Sequence, residues 1–456
     1  MQSIRIGSGQ GYWGDWLEGP KLQVRKGEID FLVMDYLAEV TMSIMQKQRQ
    51  KNPARGYAAD FVDFIRETLP DLLEKKITVI TNAGGVNPHA CQAAVLQVAR
   101  QLGYSDLRVG IVAGDDILGQ IDTLLDAGHS LTHMENGEEL ETVRQRIYSA
   151  NVYFGAEGIV SCLEQGAQII VTGRCTDTSL TLAPMAFHYG WDFNDWDKMA
   201  SGIVAGHILE CGAQASGGNF LGGWTPAMDL VELGYPIVEA AADGTFVVTK
   251  TPATAGIVNQ AVVKEQLLYE LGDPENYIAP EVVVDFTSIR LSDDGENRVR
   301  VSGIAGRPAT DSYKVSIAYA DGWKAIGQMT YAWPDALAKA RAADTLIRGR
   351  LDWLGLHFEE IHSEFLGYNA CHGPLVSAGQ DPDEVVLLVG VKGAERAAVE
   401  RFGREIVPLV LTGPPTVTGF GGGRPKASEV VAYWPALLAK HAVSPNISVH
   451  KAGDIN

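Results

Sequence analysis

Short, almost wholly apolar runs punctuate the first half of the chain at residues 4–6, 31–35, 77–81, 109–113 and 169–172. Runs this short, apolar on both faces, predict strands of a buried parallel sheet. Between them, residues 58–73, 89–102 and 140–165 bring apolar side chains round at helical spacing, which predicts amphipathic helices. The alternation defines an α/β fold: a largely parallel sheet flanked by helices.

After Trp224 the texture changes. GTFVVTKT, EVVVDFTSIRL and YKVSIAYADGWKAIGQMTYAW are rich in β-branched and aromatic residues, and Ala320-Asp321-Gly322 reads as a hairpin turn between two strands. A helix over 334–354, a strand over 385–390 and a helix over 394–402 follow. The glycine-rich break at 217–224 therefore separates an α/β domain, residues 1–225, from an α+β domain with antiparallel strands, residues 226–456. No internal repeat or low-complexity tract is present.

Composition narrows the partners. The chain has 456 residues, 46% of them hydrophobic, enough for two large cores and for a homo-oligomer. Lys and Arg number 37 against 56 Asp and Glu, and the net charge of -19 repels nucleic acid and anionic lipid. No apolar run reaches the roughly 18 residues of a membrane span, and Arg5 with its neighbouring glycines stands where a signal peptide needs an apolar core. Five cysteines, Cys91, Cys162, Cys175, Cys211 and Cys371, form no CxxC pair and suit a reducing compartment. The expected location is the cytoplasm, where the sequon beginning at Asn446 carries no glycan.

Gly9, Gly11 and Gly14 in IGSGQGYWGD have the GxGxxG spacing of a dinucleotide loop. That fingerprint needs a strand before the glycines, a helix starting on them and an acid about 20 positions on. Residues 4–6 and Asp35 satisfy the first and third. The second fails, because Gly19 and Pro20 move any helix start to about Pro20. Tyr12, Trp13 and Trp16 also place rings where a pyrophosphate would approach. The better reading is a substrate-binding turn, with Gly9 and Gly11 as floor and Tyr12 as aromatic wall.

In an open parallel sheet, ligands bind beyond the carboxyl ends of the strands. Those loops here carry Asp35 and Glu39, then Asn82, Gly84, Gly85, Asn87 and His89, then Asp115 and Asp116, then Arg174, Asp177, Thr178 and Ser179. Each loop alone is also an ordinary turn or helix cap. Arg174 is less ordinary, since a cation at a helix N-terminus is misplaced unless it meets an anion.

GHILECGAQASGGNF is the densest stretch. His207 and Glu210 share one helix face and suit an acid/base pair or two metal ligands, but no third ligand is evident, so no metal is assigned. Gln214, Ser216 and Gly217 follow in a glycine-rich segment suited to holding an oxyanion. Cys211 reads as a small buried residue. Lys250, Thr251 and Thr254 follow a strand, and Arg424 and Lys426 follow Gly421 to Gly423 in a loop suited either to phosphate or to surface contact. Asn369 and His372 bring no decisive chemistry, and His362 and His372 are too far apart to pair as ligands.

IRIGSGQGYWGD, VMDYLAE, ITNAGGVNP, VTGRCTDTSLTLAP, GHILECGAQASGGNF, TKTPATAGIVNQAVVKEQLLYE and GGGRP, in this order, resemble the acyclic terpene utilisation protein AtuA family from residue 4 to about 430. The resemblance implies catabolism of branched terpenoid and related acids, where chemistry runs on coenzyme A thioesters; it transfers no catalytic residue. The resemblance also implies a further small domain after that region in longer relatives, which this chain is expected to be without. Ala253 and Ala255 stand where the family pattern leads one to expect glycines.

The leading expectation is an enzyme of branched acyl-CoA or small carboxylic acid catabolism, a lyase or hydratase with no assigned cofactor. Its catalytic residues are His207, Glu210, Asp177 and Arg174, and its substrate is a small molecule such as a coenzyme A thioester. Substrate contacts fall to Gly9, Gly11, Tyr12, Asp35, Asn82, Gly84, Gly85, Asp115, Thr178, Gln214, Ser216 and Gly217. Two alternatives stay open: an NAD(P)- or FAD-dependent oxidoreductase, and a noncatalytic subunit that binds acyl-CoA or a partner enzyme.

Overall fold

The five apolar runs are strands: β1 (Ile4–Gln10), β2 (Phe31–Met34), β3 (Thr78–Thr81), β4 (Arg108–Ala113) and, after β5 (Ile147–Val152), β6 (Ile169–Thr172). The computed structural model describes residues 3–225, 229–376, 381–419 and 421–454. The five strands pair in parallel in the order β1-β2-β3-β6-β4. Side chains alternate across such a sheet. Phe31, Val33, Ile80, Val112 and Ile170 accordingly enter one core, and Leu32, Met34, Val79, Ile111 and Val171 the other. Helices α1 (Glu18–Lys26), α3 (Ala59–Lys75) and α4 (Pro88–Gln101) cover the second face, with α2 (Glu39–Lys51) between α1 and α3 in sequence. After the short α5 (Ile121–Asp126), helices α6 (Glu157–Glu164), α7 (Ser179–Tyr189) and α8 (Trp196–Leu209) cover the first.

Among the described residues the sheet is mixed and ten-stranded. β7 (Pro236–Ala240) pairs antiparallel with β1, and β8 (Phe246–Lys250) and the strands Val299–Ser302 and Arg290–Asp293 continue that edge. Asn446–Lys451 pairs antiparallel with β4 at the other edge. Both edges of the parallel layer would otherwise expose unpaired backbone groups. By contacts the chain divides into Met1–Ala318 with Tyr433–Asn456, and Tyr319–Ala432. The glycine-rich break near residue 225 is thus followed by strands of the same sheet, because β1 needs a partner on its open side. Within Tyr319–Ala432, the strands Glu360–Leu366 and Glu384–Gly393 and the helices Ala336–Trp353 and Arg396–Ile406 enclose a separate core around Tyr331, Leu387 and Phe402.

Two predicted elements differ. Residues 140–165 are not one helix: two 3-10 turns lead into β5, and α6 starts only at Glu157. Gly155 marks the break, since a Cβ there would meet Glu281 Oε1 at 2.6 Å. Ala320-Asp321-Gly322 is not a hairpin turn either, and Ser312–Ala332 is one strand of 21 residues. Gly322 takes φ +82, while Asp321 accepts a 2.5 Å bond from Lys392 Nζ, so the turn-forming pair is absorbed as a local irregularity.

Helix α8 is buried from Met199 to Leu209. Gly206 makes this possible: a Cβ there would lie 2.5 Å from Thr178 O and 2.6 Å from Thr178 Cα. Gly202 fits against Leu182 in the same way. This close approach brings the end of α8 beside the loop between β6 and α7.

Candidate active site

Where β1, β2 and β6 end, a cavity of about 470 Å³ opens, lined by Gly11, Tyr12, Asp35, Arg174, Asp177, Glu210 and Gln214 together with Leu37, Ala38, Cys211, Tyr269 and Glu270. Seven residues singled out from sequence therefore share one pocket. In the opening glycine turn the central backbone donor is engaged within the chain. The Gly11 N–H donates to Asp15 Oδ2 at 2.9 Å, and a Cβ on Gly11 would meet the Cys211-Gly212 backbone at 2.9 Å. Gly9 lies under the pocket, packed against Leu32, Met34 and Pro20, while Tyr12 is exposed at the rim.

Asp35 accepts hydrogen bonds on Oδ1 from Asn82 Nδ2 at 2.6 Å and from the Leu37 N–H at 3.0 Å. Burial pushes its carboxyl up to about 6, Arg174 and the two donors oppose that rise, and Glu210 adds to it. Asn82 is fully buried and holds both Asp35 and the Tyr36 N–H, so it acts from behind the pocket wall.

The anion that Arg174 calls for is supplied by the chain itself. Its guanidinium donates to Asp177 Oδ1 at 2.9 Å and to Leu37 O at 2.8 Å, and lies 4.2 Å from the Tyr153 ring centroid. Asp115 accepts from the Arg174 N–H at 2.9 Å and from Asn151 Nδ2 at 2.8 Å, and burial pushes it up to about 7. It supports the loop and does not line the pocket.

His207 Nδ1 and Glu210 Oε1 lie 2.8 Å apart at the end of α8, although neither ring nitrogen meets hydrogen-bond geometry. Glu210 faces the cavity, but His207 is 1% exposed and sits edge-on between Tyr277 and Phe286. Burial lowers the imidazole pKa, and Glu210 with nearby backbone groups reverses this to a net rise. The geometry thus puts Glu210 on the cavity and His207 behind it.

The remaining expected contacts are structural neighbours of the site. Gly84 would clash with Thr172 O at 2.4 Å if it carried a Cβ, and Gly85 takes φ +53 against Met45. Thr178 is buried under Gly206, and Ser216 Oγ donates to Gly234 O and to Ala213 O. The oxyanion reading of the glycine-rich segment loses its donors, because the Gly217 and Gly218 N–H groups bond Gln214 O and Ala213 O. Gln214 itself bonds Gln266 Oε1 at 2.9 Å. Burial, then Glu210, pushes the Cys211 thiol up to about 12, which keeps it unreactive. Lys250 Nζ bonds Thr254 O at 2.6 Å away from this pocket.

A second cavity of about 510 Å³ shares Arg174 and Asp177 with the first. Tyr153, Tyr277, Tyr313, Tyr433, Ile278, Pro280 and Leu437 make it predominantly apolar, and Lys314 adds a cation. Burial, then Glu210 and Asp177, raises the Tyr277 pKa well above the ordinary phenol, so Tyr277 keeps its proton as a donor. Tyr277 and Tyr153 lie in no motif singled out from the sequence, and Glu270 closes the motif TKTPATAGIVNQAVVKEQLLYE without a role having been read for it.

Among the described residues, no group of three or more His, Cys, Asp and Glu is arranged to hold a metal ion, and no helix is long and apolar enough to cross a membrane. The molecule is thus a mixed α/β protein whose paired cavities open where the parallel strands end. The chain belongs to the acyclic terpene utilisation family protein AtuA family, whose model matches residues 4–449. No curated protein matches it. Among solved structures, a crystal structure of an amidase of the hydantoinase/carbamoylase family from Burkholderia phymatum aligns at 15% identity and a TM-score of 0.16. That alignment covers 28% of this chain and 31% of the amidase, and it carries no argument.

Proposed function

We propose that the protein is an enzyme of branched acyl-CoA or small carboxylic acid catabolism that moves a proton next to a carbonyl, as a lyase or hydratase does. The observation that carries this reading is the seam at Arg174 and Asp177, where an acid-lined cavity meets a tyrosine-lined one. A branched acyl chain fits the apolar side and leaves its carbonyl at the seam. There Tyr277 and Arg174 donate to oxygen as negative charge develops, and Asp35 or Glu210 accepts the proton from the adjacent carbon. Asp35, raised to about 6, is suited to that exchange near neutral pH.

The test is turnover of branched acyl thioesters and their free acids by Asp35→Asn and Glu210→Gln. At least one substitution is expected to lower kcat by roughly 100-fold or more with folding retained. If Asp35 is the acceptor, kcat/KM rises as pH passes about 6. Full activity in both variants, or binding of acyl-CoA by the wild type with no turnover of any thioester, overturns the reading; the second result makes the chain a noncatalytic subunit.

A further inference from the structure

A third cavity, about 490 Å³ in volume, is lined by Phe193, Trp196, Pro280, Glu281, Tyr313 and Lys440 among others, and lies outside the acid-lined pocket. Glu281 is buried. Its Oε1 accepts from the Ala156 N–H at 2.5 Å and from Ser179 Oγ at 2.8 Å, which ties the start of α6 to the start of α7. Its Oε2 is buried with no hydrogen-bond partner. A buried acceptor left in this state is unfavourable until a donor reaches it.

Lys440 supplies the complementary group. Its Nζ donates to Pro280 O at 2.6 Å and stands 5.6 Å from the Tyr313 ring centroid, and an ammonium has three protons to give. Phe193, Trp196 and Tyr313 provide flat apolar surface. An occupant must therefore donate to Glu281, accept from Lys440 and present a planar face. A simple anion would be repelled by Glu281 and Glu157, and a simple ammonium by Lys440. A purine-type base with an exocyclic amino group beside a ring nitrogen meets all three requirements.

We propose that this cavity is a subsite for an adenine-type base. It adjoins the tyrosine-lined cavity through Pro280 and Tyr313, which in turn adjoins the acid-lined pocket through Arg174 and Asp177. A ligand seated at Glu281 and Lys440 then extends towards the carbonyl position. This extension rests on the acid/base reading of that end, whereas base recognition does not.

Calorimetric titration of the full-length protein with adenosine, with coenzyme A and with a branched acyl-pantetheine lacking the nucleotide separates the two ideas. Adenosine and coenzyme A are expected to bind the wild type. Lys440→Met and Glu281→Gln should each weaken both by roughly tenfold, as expected for loss of a charge-assisted hydrogen bond, and leave acyl-pantetheine affinity unchanged. Because Glu281 also ties α6 to α7, Lys440→Met decides the matter if Glu281→Gln fails to fold. Absence of adenosine binding, or adenosine binding unaffected by Lys440→Met, overturns the subsite and leaves the acid/base reading standing. Adenosine binding that Lys440→Met weakens, with no turnover of any thioester, supports the subsite and removes the acid/base reading instead.

Discussion

Asp115 stands behind Arg174, accepting from the Arg174 N–H and from Asn151 Nδ2, and burial pushes its carboxyl up to about 7. An unfolded aspartate titrates near 3.9, so between about 4 and 7 the folded chain holds more protons than the unfolded one. Stability must then fall as pH rises through that window, because the unfolded state gives up its proton first. Asp35, raised to about 6, acts in the same direction. Asp115→Asn should flatten the pH dependence, which urea unfolding midpoints at pH 4 to 8 would show; an unchanged slope would mean Asp115 is ionised throughout. At this scale much of the site was legible from sequence. Asp35, Arg174 and Asp177 stand out as polar groups after apolar runs and Glu210 as half of a pair on one helix face, and all four line the pocket. The separate places of His207 and Glu210 were not legible, because helical spacing puts them on one face without saying what covers either.

At the scale of elements, the site depends on α8 lying against the start of α7. Gly206→Ala would drive a methyl to 2.5 Å from Thr178 O, a backbone atom that cannot yield. Overpacking of this kind costs about 1–3 kcal/mol, and the shift reaches both Asp177 and Glu210. Denaturant unfolding should register the loss, with reduced ligand binding alongside it. Gly349→Ala is the contrasting case: it lies within the helix Ala336–Trp353 with nothing near its Cβ position, and helix propensity makes it neutral or stabilising. An equal loss in both variants would remove close approach as the explanation. The same reasoning accounts for the elements that sequence misplaced. Local periodicity reads 140–165 as one helix, but β5 is drawn into pairing with the strand Ser312–Ala332, far away in sequence.

At the scale of the molecule, Met1–Ala318 with Tyr433–Asn456 and Tyr319–Ala432 are separate compact units with their own cores. Scanning calorimetry is expected to resolve two transitions, with a ligand of the strand-end cavities raising only the one belonging to the larger unit. A single transition that moves as a whole with ligand would contradict this independence. Sequence alone determined the five parallel strands, the helices α3 and α4 that cover one of their faces, and the family, because runs, periodicities and ordered motifs are local properties of the chain. Only tertiary structure decided that β7 and β8 extend the same sheet as β1, since an open strand edge takes whatever partner the fold delivers. Tertiary structure also chose which polar loops share a cavity and which carboxyls titrate near neutrality. Both follow from what lies over each group in space: Arg174, Glu210 and Tyr277 come from distant segments, and desolvation depends on the neighbours that cover a residue.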